Sequence, residues 1–208
     1  MKRGDFIKLT GLGTTAIFLG GGLSTFLTSC KKEGMMNMGG GAVSVIEGDF
    51  STLLPMPPVV TGQATLAAQA TVHNIFKGKV SKVLGYQPNS ILGPSIVVNS
   101  GDSVNILFQN NLAEPSNIHW HGLDIPANMD GHPKDTIDSG GSFNYQFVVS
   151  QRAAMYWYHP HPHELTAKQA YLGLAGAFIV RDLEESSLNL PSGEFEVPLI
   201  IQDKRVFP

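Results

Sequence analysis

The sequence predicts an all-β domain that folds as a sandwich of two sheets. Short apolar runs are separated by turn residues, and the chain contains 23 glycines and 13 prolines. Phe143, Tyr145 and Phe147 alternate with polar residues, which is typical of a strand with one buried face. Stretches with the periodicity of an amphipathic helix are almost absent. Together these observations favour a β-sandwich over a helical or α/β fold.

The predicted elements follow one another between turn signals from about residue 50 onward. An extended entry segment, Leu53–Pro58, comes first because successive prolines exclude a helix. Clusters of glycine, proline and asparagine predict the loops, and Glu164–Tyr171 could hold one or two helical turns. The predicted strands are Ala70–Phe76, Ile96–Val98, Val104–Phe108, Ile118–His121, Phe143–Phe147, Met155–His159, Leu174–Val180 and Val197–Ile201.

Composition and charge limit the classes of function. Apolar residues make up 42% of the chain and charged residues 15%, which indicates a globular protein with a sizeable core. The net charge of -3 and the lack of an interior run of Lys and Arg argue against nucleic-acid binding. The single cysteine, Cys30, leaves no intramolecular disulfide and no thiolate inside the predicted domain.

Residues 1–30 have the pattern of an export signal. Lys2 and Arg3 precede an apolar run, Leu9–Leu27, whose glycines make it a poor membrane-spanning helix. Leu27–Cys30 resembles a bacterial lipobox, in which the cysteine becomes the acylated first residue; an uncleaved membrane anchor is the alternative. The first residues also resemble a twin-arginine signal with Gly4 in place of the second arginine, so the export route stays open. We expect a cell-envelope or periplasmic protein, lipid-anchored through Cys30.

The sequence divides into four regions. After the signal, residues 31–42 are rich in Met and Gly and are predicted to be a flexible tether. Residues 43–183 form the predicted sandwich domain, and residues 184–208 are a linker and the start of a further domain. Because Val197–Ile201 begins a strand that has no neighbours, we expect the chain to be the front portion of a longer architecture.

Two His-x-His motifs carry the chemistry: His119 with His121, and His159 with His161. Alternate residues of a strand point to the same face, so each motif presents two imidazoles side by side. Neutral imidazole binds copper, zinc, iron and nickel, and the spacing alone does not choose among them. A zinc hydrolase with a nearby carboxylate, Asp130 or Glu164, is therefore an alternative at this point.

The residues around these histidines closely resemble the first cupredoxin domain of the multicopper oxidases, nearest to the bacterial laccase-like, cuprous-oxidase and spore-coat branch. The resemblance runs from about Leu54 to the end of the chain. Its matching phrases are His119–Leu123, Asp130-Gly131, Trp157–His161, Gln169, Gly173–Gly176, Gly85-Tyr86, Leu92–Pro94, Gly101–Val104, Phe178–Val180 and Ile200–Asp203.

The resemblance implies a cupredoxin-like Greek-key β-sandwich that is the first domain of a multi-domain oxidase. It also implies a trinuclear copper cluster between the first and last domains, where dioxygen is reduced to water. A separate mononuclear blue copper would take electrons one at a time from a reducing substrate.

Carried over residue by residue, the resemblance implies a role for each histidine of the two motifs. His119 would bind the type 2 copper, His121 and His159 one type 3 copper, and His161 the other. Asp130 matches an acidic position that hydrogen-bonds water near the cluster and supplies protons, which makes it the expected catalytic residue.

Other conspicuous residues near the motifs are expected to play supporting parts. Close backbone approach is expected at Gly173 and Gly176. The residues expected to form an aromatic wall around the site are Trp120, Tyr156, Trp157 and Tyr158. The histidines not expected to bind metal are His73, His132 and His163.

The chain contains only part of the implied ligand set. The blue copper site needs a Cys thiolate, but Cys30 lies in the lipobox, and no His-Cys-His motif is present. We therefore expect these residues to supply part of the trinuclear site and to be inactive alone. The leading hypothesis is an oxidase of phenols, metal ions or similar donors. The alternatives are a stand-alone envelope copper-binding or carrier domain, and short chains that assemble a cluster between subunits.

Overall fold

The computed structural model describes residues 54–205. These residues lie in the second of the two units into which the chain divides, Met1–Thr52 and Leu53–Pro208. The export signal, the lipobox Cys30, the tether and the predicted domain start at residue 43 lie outside the described residues. Within residues 54–205, no helix has the length and apolar character needed to cross a membrane.

The described residues form mostly strands, joined by turns and two short helices. Helix α1 is Thr166–Leu172 and helix α2 is Leu183–Ser187, and two 3-10 helices lie at Ala127–Met129 and Gly193–Phe195. In chain order the strands are β1 (Val59–Val60), β2 (Gln63–Phe76), β3 (Lys79–Gly85), β4 (Ser95–Asn99), β5 (Ser103–Asn111), β6 (His119–His121), β7 (Ser142–Val148), β8 (Ala154–His159) and β9 (Gly176–Arg181).

The strands form two sheets, which confirms the predicted all-β sandwich. The five-stranded sheet has the order β1-β4-β9-β8-β6, and the four-stranded sheet has the order β3-β2-β5-β7. Strand β2 pairs in parallel with β5, and β4 pairs in parallel with β9. Because these parallel partners are far apart in sequence, the chain crosses between the sheets instead of meandering, as a Greek-key arrangement requires.

The core lies between the sheets and consists largely of aromatic side chains. Trp120 on β6 is fully buried, and its ring lies 5.2–5.7 Å from those of Tyr145, Phe147 and Phe178 at steep interplanar angles. Edge-to-face packing of this kind stabilises beyond the burial of area alone, by about 0.5–1.5 kcal/mol per pair. Trp120 thereby anchors β6 with its two neighbouring histidines directed away from the core.

Strands β8 and β9 pack closely because Gly176 has no side chain. A Cβ at this position would lie 2.2 Å from the ring of Tyr158, which is fully buried. The Tyr158 hydroxyl donates a hydrogen bond to the carbonyl of Pro94 at 2.8 Å. The close approach predicted at Gly176 is therefore confirmed, and its neighbour is the aromatic ring beside His159.

The main differences between the structure and the predicted strands lie at β2 with β3 and at Val197–Ile201. Strand β2 is longer than predicted and pairs with β3, whose residues Lys79–Gly85 were not predicted as a strand. Val197–Ile201 was predicted as a strand but is not in one within residues 54–205. Apolar composition is not sufficient for a strand, because its backbone needs hydrogen-bonding partners.

Candidate metal centre

The pairing of β6 with β8 brings the two His-x-His motifs together. The strands are antiparallel, with His119 opposite His159 and His121 opposite Trp157. Because side chains alternate along each strand, these four residues share the outer face of the sheet, whereas Trp120 and Tyr158 are buried in the core. The ladder between two adjacent strands thus positions three imidazoles and one indole on a single surface.

Three of the imidazoles converge on one point. One nitrogen from each of His119, His121 and His159 lies within 4.8 Å of the others. Their ring centroids are 5.3–5.7 Å apart. Three imidazole nitrogens gathered at one place are the kind of donor set that binds a transition metal.

Backbone carbonyls determine the tautomers of two of these histidines. Nδ1 of His119 lies 2.9 Å from the carbonyl oxygen of Asp130, and Nδ1 of His159 lies 2.8 Å from that of Pro160. A carbonyl only accepts hydrogen bonds, so each Nδ1 carries the hydrogen and each Nε2 keeps a lone pair. Both rings are therefore oriented to bind a metal through Nε2.

His121 approaches the same space through its other nitrogen. Its Nδ1 lies 3.2 Å from Nε2 of His159. Two imidazole nitrogens that share a tetrahedral ion at about 2.0–2.1 Å would be roughly 3.3 Å apart, so this separation fits two ligands of one ion.

The environment of His159 keeps its imidazole neutral. The pKa of this group is lowered from 6.5 to about 4, chiefly because burial disfavours the charged form. The hydrogen bond to Pro160 acts in the opposite direction, and the neighbouring imidazoles of His119, His121 and His161 lower the pKa further. A neutral imidazole at physiological pH needs no deprotonation before it binds a metal.

His161 lies beside this group but is not part of it. Its ring centroid is 5.1 Å from that of His119, with the planes at 90°, and 5.8 Å from that of His159. Its Nδ1 is buried and has no hydrogen-bond partner among the described residues. A buried polar atom without a partner is unusual and requires an explanation, such as an ion or water that satisfies it.

Asp130 contacts His119 twice. Its backbone carbonyl accepts the hydrogen of Nδ1, and its side-chain Oδ1 lies 3.2 Å from the same nitrogen. This Oδ1 is buried and lacks a hydrogen-bond partner in residues 54–205, while Oδ2 is 4.0 Å from Nδ1 of His132. The carboxylate thus lies against the edge of the His119 ring that carries Nδ1, with the ring between it and the Nε2 lone pair. Glu164, the other acid considered for a zinc hydrolase, is exposed and outside the three-histidine group.

The aromatic wall predicted around the site is wrong except at Trp157. Its ring lies 4.7 Å from that of His121 and 4.2 Å from that of His159, with interplanar angles of 30° and 33°. Trp120 and Tyr158 point into the core, and Tyr156 packs against it. Strand alternation is the reason, because neighbours of outward-facing histidines must face inward.

Among the described residues, the remaining histidines lie outside the three-histidine group. His73 is on β2, where its Nδ1 lies 2.8 Å from the carbonyl oxygen of Asn89. His163 is exposed, and its backbone N–H donates to Pro133. His132 is half-buried on the loop after Asp130.

One residue beside the site that the sequence analysis missed is Asn117. It is fully buried, and its side chain connects the segment after β8 to the loop that follows Asp130. An asparagine two residues before a histidine carries no distinctive signal, and only its contacts reveal it.

Comparisons with known proteins agree with this geometry. A profile of the family described as multicopper oxidase matches residues 68–185. The multicopper oxidase of Staphylococcus aureus is 43% identical over 140 residues, which are 67% of this chain and 31% of that protein. Bilirubin oxidase of Albifimbria verrucaria is 32% identical over 173 residues, which cover 75% of this chain and 30% of that protein. The chain therefore spans about a third of the length of these curated relatives.

Solved structures show the same likeness in three dimensions. A bacterial laccase-like multicopper oxidase from Ochrobactrum sp. matches with a TM-score of 0.64 and 33% identity, over 68% of this chain and 32% of that chain. A laccase from Pediococcus acidilactici matches with a TM-score of 0.63 and 34% identity, over 68% of this chain and 32% of that chain. These similarities identify the sandwich as cupredoxin-like.

Proposed function

The chain belongs to the multicopper oxidase family, and we propose that it supplies part of the copper site at which such an oxidase reduces dioxygen to water. The observation that carries this proposal is the convergence of His119, His121 and His159 on one space, with His161 beside them. The reaction would couple this reduction to one-electron oxidation of a donor.

The donor set fits copper. Imidazole nitrogen is a preferred ligand of copper, and the three converging rings carry no competing carboxylate within their group. The unpaired, buried Nδ1 of His161 would gain a partner if a second ion were bound next to the first. Copper held here would supply one-electron redox chemistry and a site for dioxygen.

We propose that the four histidines bind three different copper ions. We assign His119 to the type 2 copper, His121 and His159 to one type 3 copper, and His161 to the other. The 3.2 Å separation of His121 Nδ1 from His159 Nε2 supports the shared ion. The edge-on arrangement of His161 to His119, at 90°, supports a separate ion for His161.

The surrounding residues orient the ligands. Trp157 stacks on His121 and His159, so its ring restrains both imidazoles. The Asp130 carbonyl holds the hydrogen on Nδ1 of His119, which directs Nε2 to the metal. We propose that the Asp130 carboxylate, whose Oδ1 is buried and lies 3.2 Å from His119 Nδ1, would hold a proton and pass it to water at the site.

The outer side of this site is open in the described residues. His121 is exposed, and 41% of the Trp157 surface is accessible. We propose that C-terminal cupredoxin domains of the same oxidase cover this face and provide the remaining copper ligands and the cysteine-bearing electron entry site. The chain by itself would then bind copper incompletely and not turn over.

The reducing substrate would be a phenol, a metal ion or a similar one-electron donor. One structural neighbour, from Ochrobactrum sp., has oxidase activity towards lignin model compounds, and another relative is a bilirubin oxidase. The cell envelope is the proposed location, with a lipid anchor at Cys30, on the basis of the sequence pattern of residues 1–30.

Copper loading tests the proposal directly. Equilibrium dialysis of the chain against Cu(II), followed by electron paramagnetic resonance, should show bound copper with nitrogen hyperfine structure from imidazole. A variant with His119, His121 and His159 all replaced by alanine is the control and should bind at least about 100-fold more weakly. Equal binding by the two proteins would refute the site. Strong blue absorption with phenol-dependent oxygen consumption by the chain alone would refute its incompleteness.

A non-catalytic copper carrier is the second candidate. The exposure of His121 favours it, because an accessible ligand permits exchange of the ion with a partner. The two candidates differ when the chain is joined to a cupredoxin domain that carries a His-Cys-His motif. Oxygen consumption by the joined protein supports the oxidase, and copper binding without oxygen consumption supports the carrier.

We predict that Asp130→Asn slows oxygen reduction more than it reduces copper content. The substitution leaves the backbone carbonyl of residue 130 in contact with His119. The new side-chain amide cannot exchange a proton near neutral pH, whereas positioned acid–base groups contribute about 10²–10⁴-fold to reaction rates. In the oxidase that contains this domain, oxygen uptake should fall at least about 10-fold at unchanged copper content. Asp135→Asn, on an exposed residue of the same loop, is the matched control. Parallel loss of rate and copper would show that Asp130 acts only in holding the metal site.

A further inference from the structure

We infer that Asn117 is the positioning residue that holds His161 and the loop of residues 130–135, here called the Asp130 loop, in register with His119. The inference rests on the proposed function, because it concerns how the copper ligands are placed. According to this inference, the buried side-chain amide of Asn117 determines how His119 and His161 lie relative to each other. We assign these two imidazoles to different copper ions.

The amide of Asn117 makes hydrogen bonds to two separate segments. Its Nδ2 donates to the carbonyls of Gly131, His132 and Asp135 at 3.1, 3.0 and 3.1 Å. Its Oδ1 accepts the backbone N–H of His161 at 2.7 Å. The side chain is fully buried, so removal of the amide would cost about 1–3 kcal/mol for each group left without a partner. The His132 carbonyl would keep the backbone N–H of Asp135 as a donor.

The backbone that carries Asn117 is itself firmly placed. The next residue, Ile118, donates its backbone N–H to the hydroxyl of the buried Tyr145 at 2.9 Å, and β6 begins directly afterwards. Asn117 is therefore attached to the core on one side and contacts two loops on the other.

The Asp130 loop depends on this amide for its position beside β6. Three carbonyls of the loop converge on Nδ2, and the Asp130 carbonyl just before them accepts the hydrogen of His119 Nδ1 at 2.9 Å. Asn117 therefore supports the hydrogen bond that selects the metal-binding tautomer of His119.

His161 depends on Asn117 more strongly than the other three histidines do. His119, His121 and His159 lie within the hydrogen-bonded ladder of β6 and β8, whereas β8 ends at His159. His161 follows Pro160 and lies beyond the ladder, and its backbone N–H is satisfied by Asn117. Loss of Asn117 should thus displace His161 and loosen the contact between His119 and the Asp130 carbonyl, while His121 and His159 keep their geometry.

The sharpest test combines Asn117→Ala with His161→Ala. Equilibrium dialysis with Cu(II) should show that each single change weakens, by about 10-fold, the site that uses His161. The double variant should be no weaker than either single variant, because both remove the same ligand placement. The copper bound through His121 and His159, which do not contact Asn117, should remain in all three proteins. Ser116→Ala, which removes a buried hydrogen bond to Gln169, controls for general destabilisation.

Hydrogen exchange in the metal-free chain provides a readout that needs no copper. The His161 amide should exchange at least about 10-fold faster in Asn117→Ala than in the wild type, while the amides of β6 and β8 are unchanged. Asn117→Asp keeps an acceptor for His161 but removes the donors to the loop. It should therefore protect the His161 amide and yet abolish the Nδ1–H signal of His119 in nitrogen NMR. This isosteric variant also decides the matter if the alanine variant does not fold.

Three outcomes would overturn the inference: unchanged His161 exchange in Asn117→Ala, additive losses in the double variant, or equal effects of Ser116→Ala on His161. Absence of copper binding by the wild-type chain would instead refute the proposed function. In that case the exchange experiment still determines whether Asn117 positions His161.

Discussion

His159→Ala is expected to weaken copper binding by more than about 100-fold, since changes that merely surround a metal ligand already cost 10–100-fold. His159 is the most buried of the three converging histidines, at 5% exposure, and it contacts both partners of the group. Its lowered pKa keeps the ring neutral, and the Pro160 carbonyl orients it, so the alanine variant loses a ligand that is already prepared to bind the metal. Isothermal titration with Cu(II) measures the loss.

The matched control is His163→Ala, which removes an exposed imidazole four residues away that lies outside the group. It should leave copper affinity within about 2-fold of the wild type. In the proposed full-length oxidase, His159→Ala should also abolish oxygen reduction and spare the blue absorption band, because we assign that band to a mononuclear site built from other residues. Disappearance of the band would show that the assigned role of His159 is wrong.

Gly131→Ala is expected to lower stability more than the other substitutions proposed here. The added Cβ would clash with neighbouring atoms, and the backbone conformation would be strained. A Cβ at this position would lie 1.9 Å from the carbonyl oxygen of Ile118 and 3.1 Å from the backbone nitrogen of His119. The backbone has φ +63, a left-handed conformation that costs L-residues about 1–2 kcal/mol. Since the neighbouring atoms are backbone, relief of the clash must move the loop or β6. We expect the free energy of unfolding to fall by roughly 3–5 kcal/mol.

Gly140→Ala separates the two contributions. Gly140 has φ +78, but a Cβ there would meet nothing within 4 Å, so it carries the strain without the clash. Chemical denaturation should show a loss of about 1–2 kcal/mol for Gly140→Ala. Copper affinity should fall only in Gly131→Ala, because that change moves Asp130 away from His119. Equal losses of stability in the two variants would mean that the close approach at Gly131 is relieved without cost.

Much of the fold could be predicted from local pattern. Alternation in Phe143–Phe147 and at Val104, Ile106 and Phe108 predicted strands that the structure contains as β7 and β5. The β3 strand was missed because Lys79–Gly85 has mixed polarity, and its pairing with β2 comes from a hairpin that extends beyond the partner β5. Val197–Ile201 was wrongly predicted to be a strand, since apolar residues do not form a strand without a hydrogen-bonding partner.

The metal centre was likewise predicted in part from local pattern. The period of two along a strand predicted that His119 and His121 share a face, and the structure agrees. The same period should have excluded Trp120 and Tyr158 from the aromatic wall, because they alternate with outward-facing histidines. Only Trp157, which is two residues from His159, stacks on the imidazoles.

The sequence by itself determined the class of fold, the four candidate imidazoles and the family, because strand periodicity and short motifs are local properties. Only the tertiary structure decided that His119 lies opposite His159, that two backbone carbonyls select their tautomers, and that Asn117 connects His161 to the Asp130 loop. These contacts join residues separated by 11 to 44 positions, apart from the adjacent His159 and Pro160. The pairing register of the strands and the packing of the loops depend on how distant segments pack in the core around Trp120. No local sequence pattern specifies this packing.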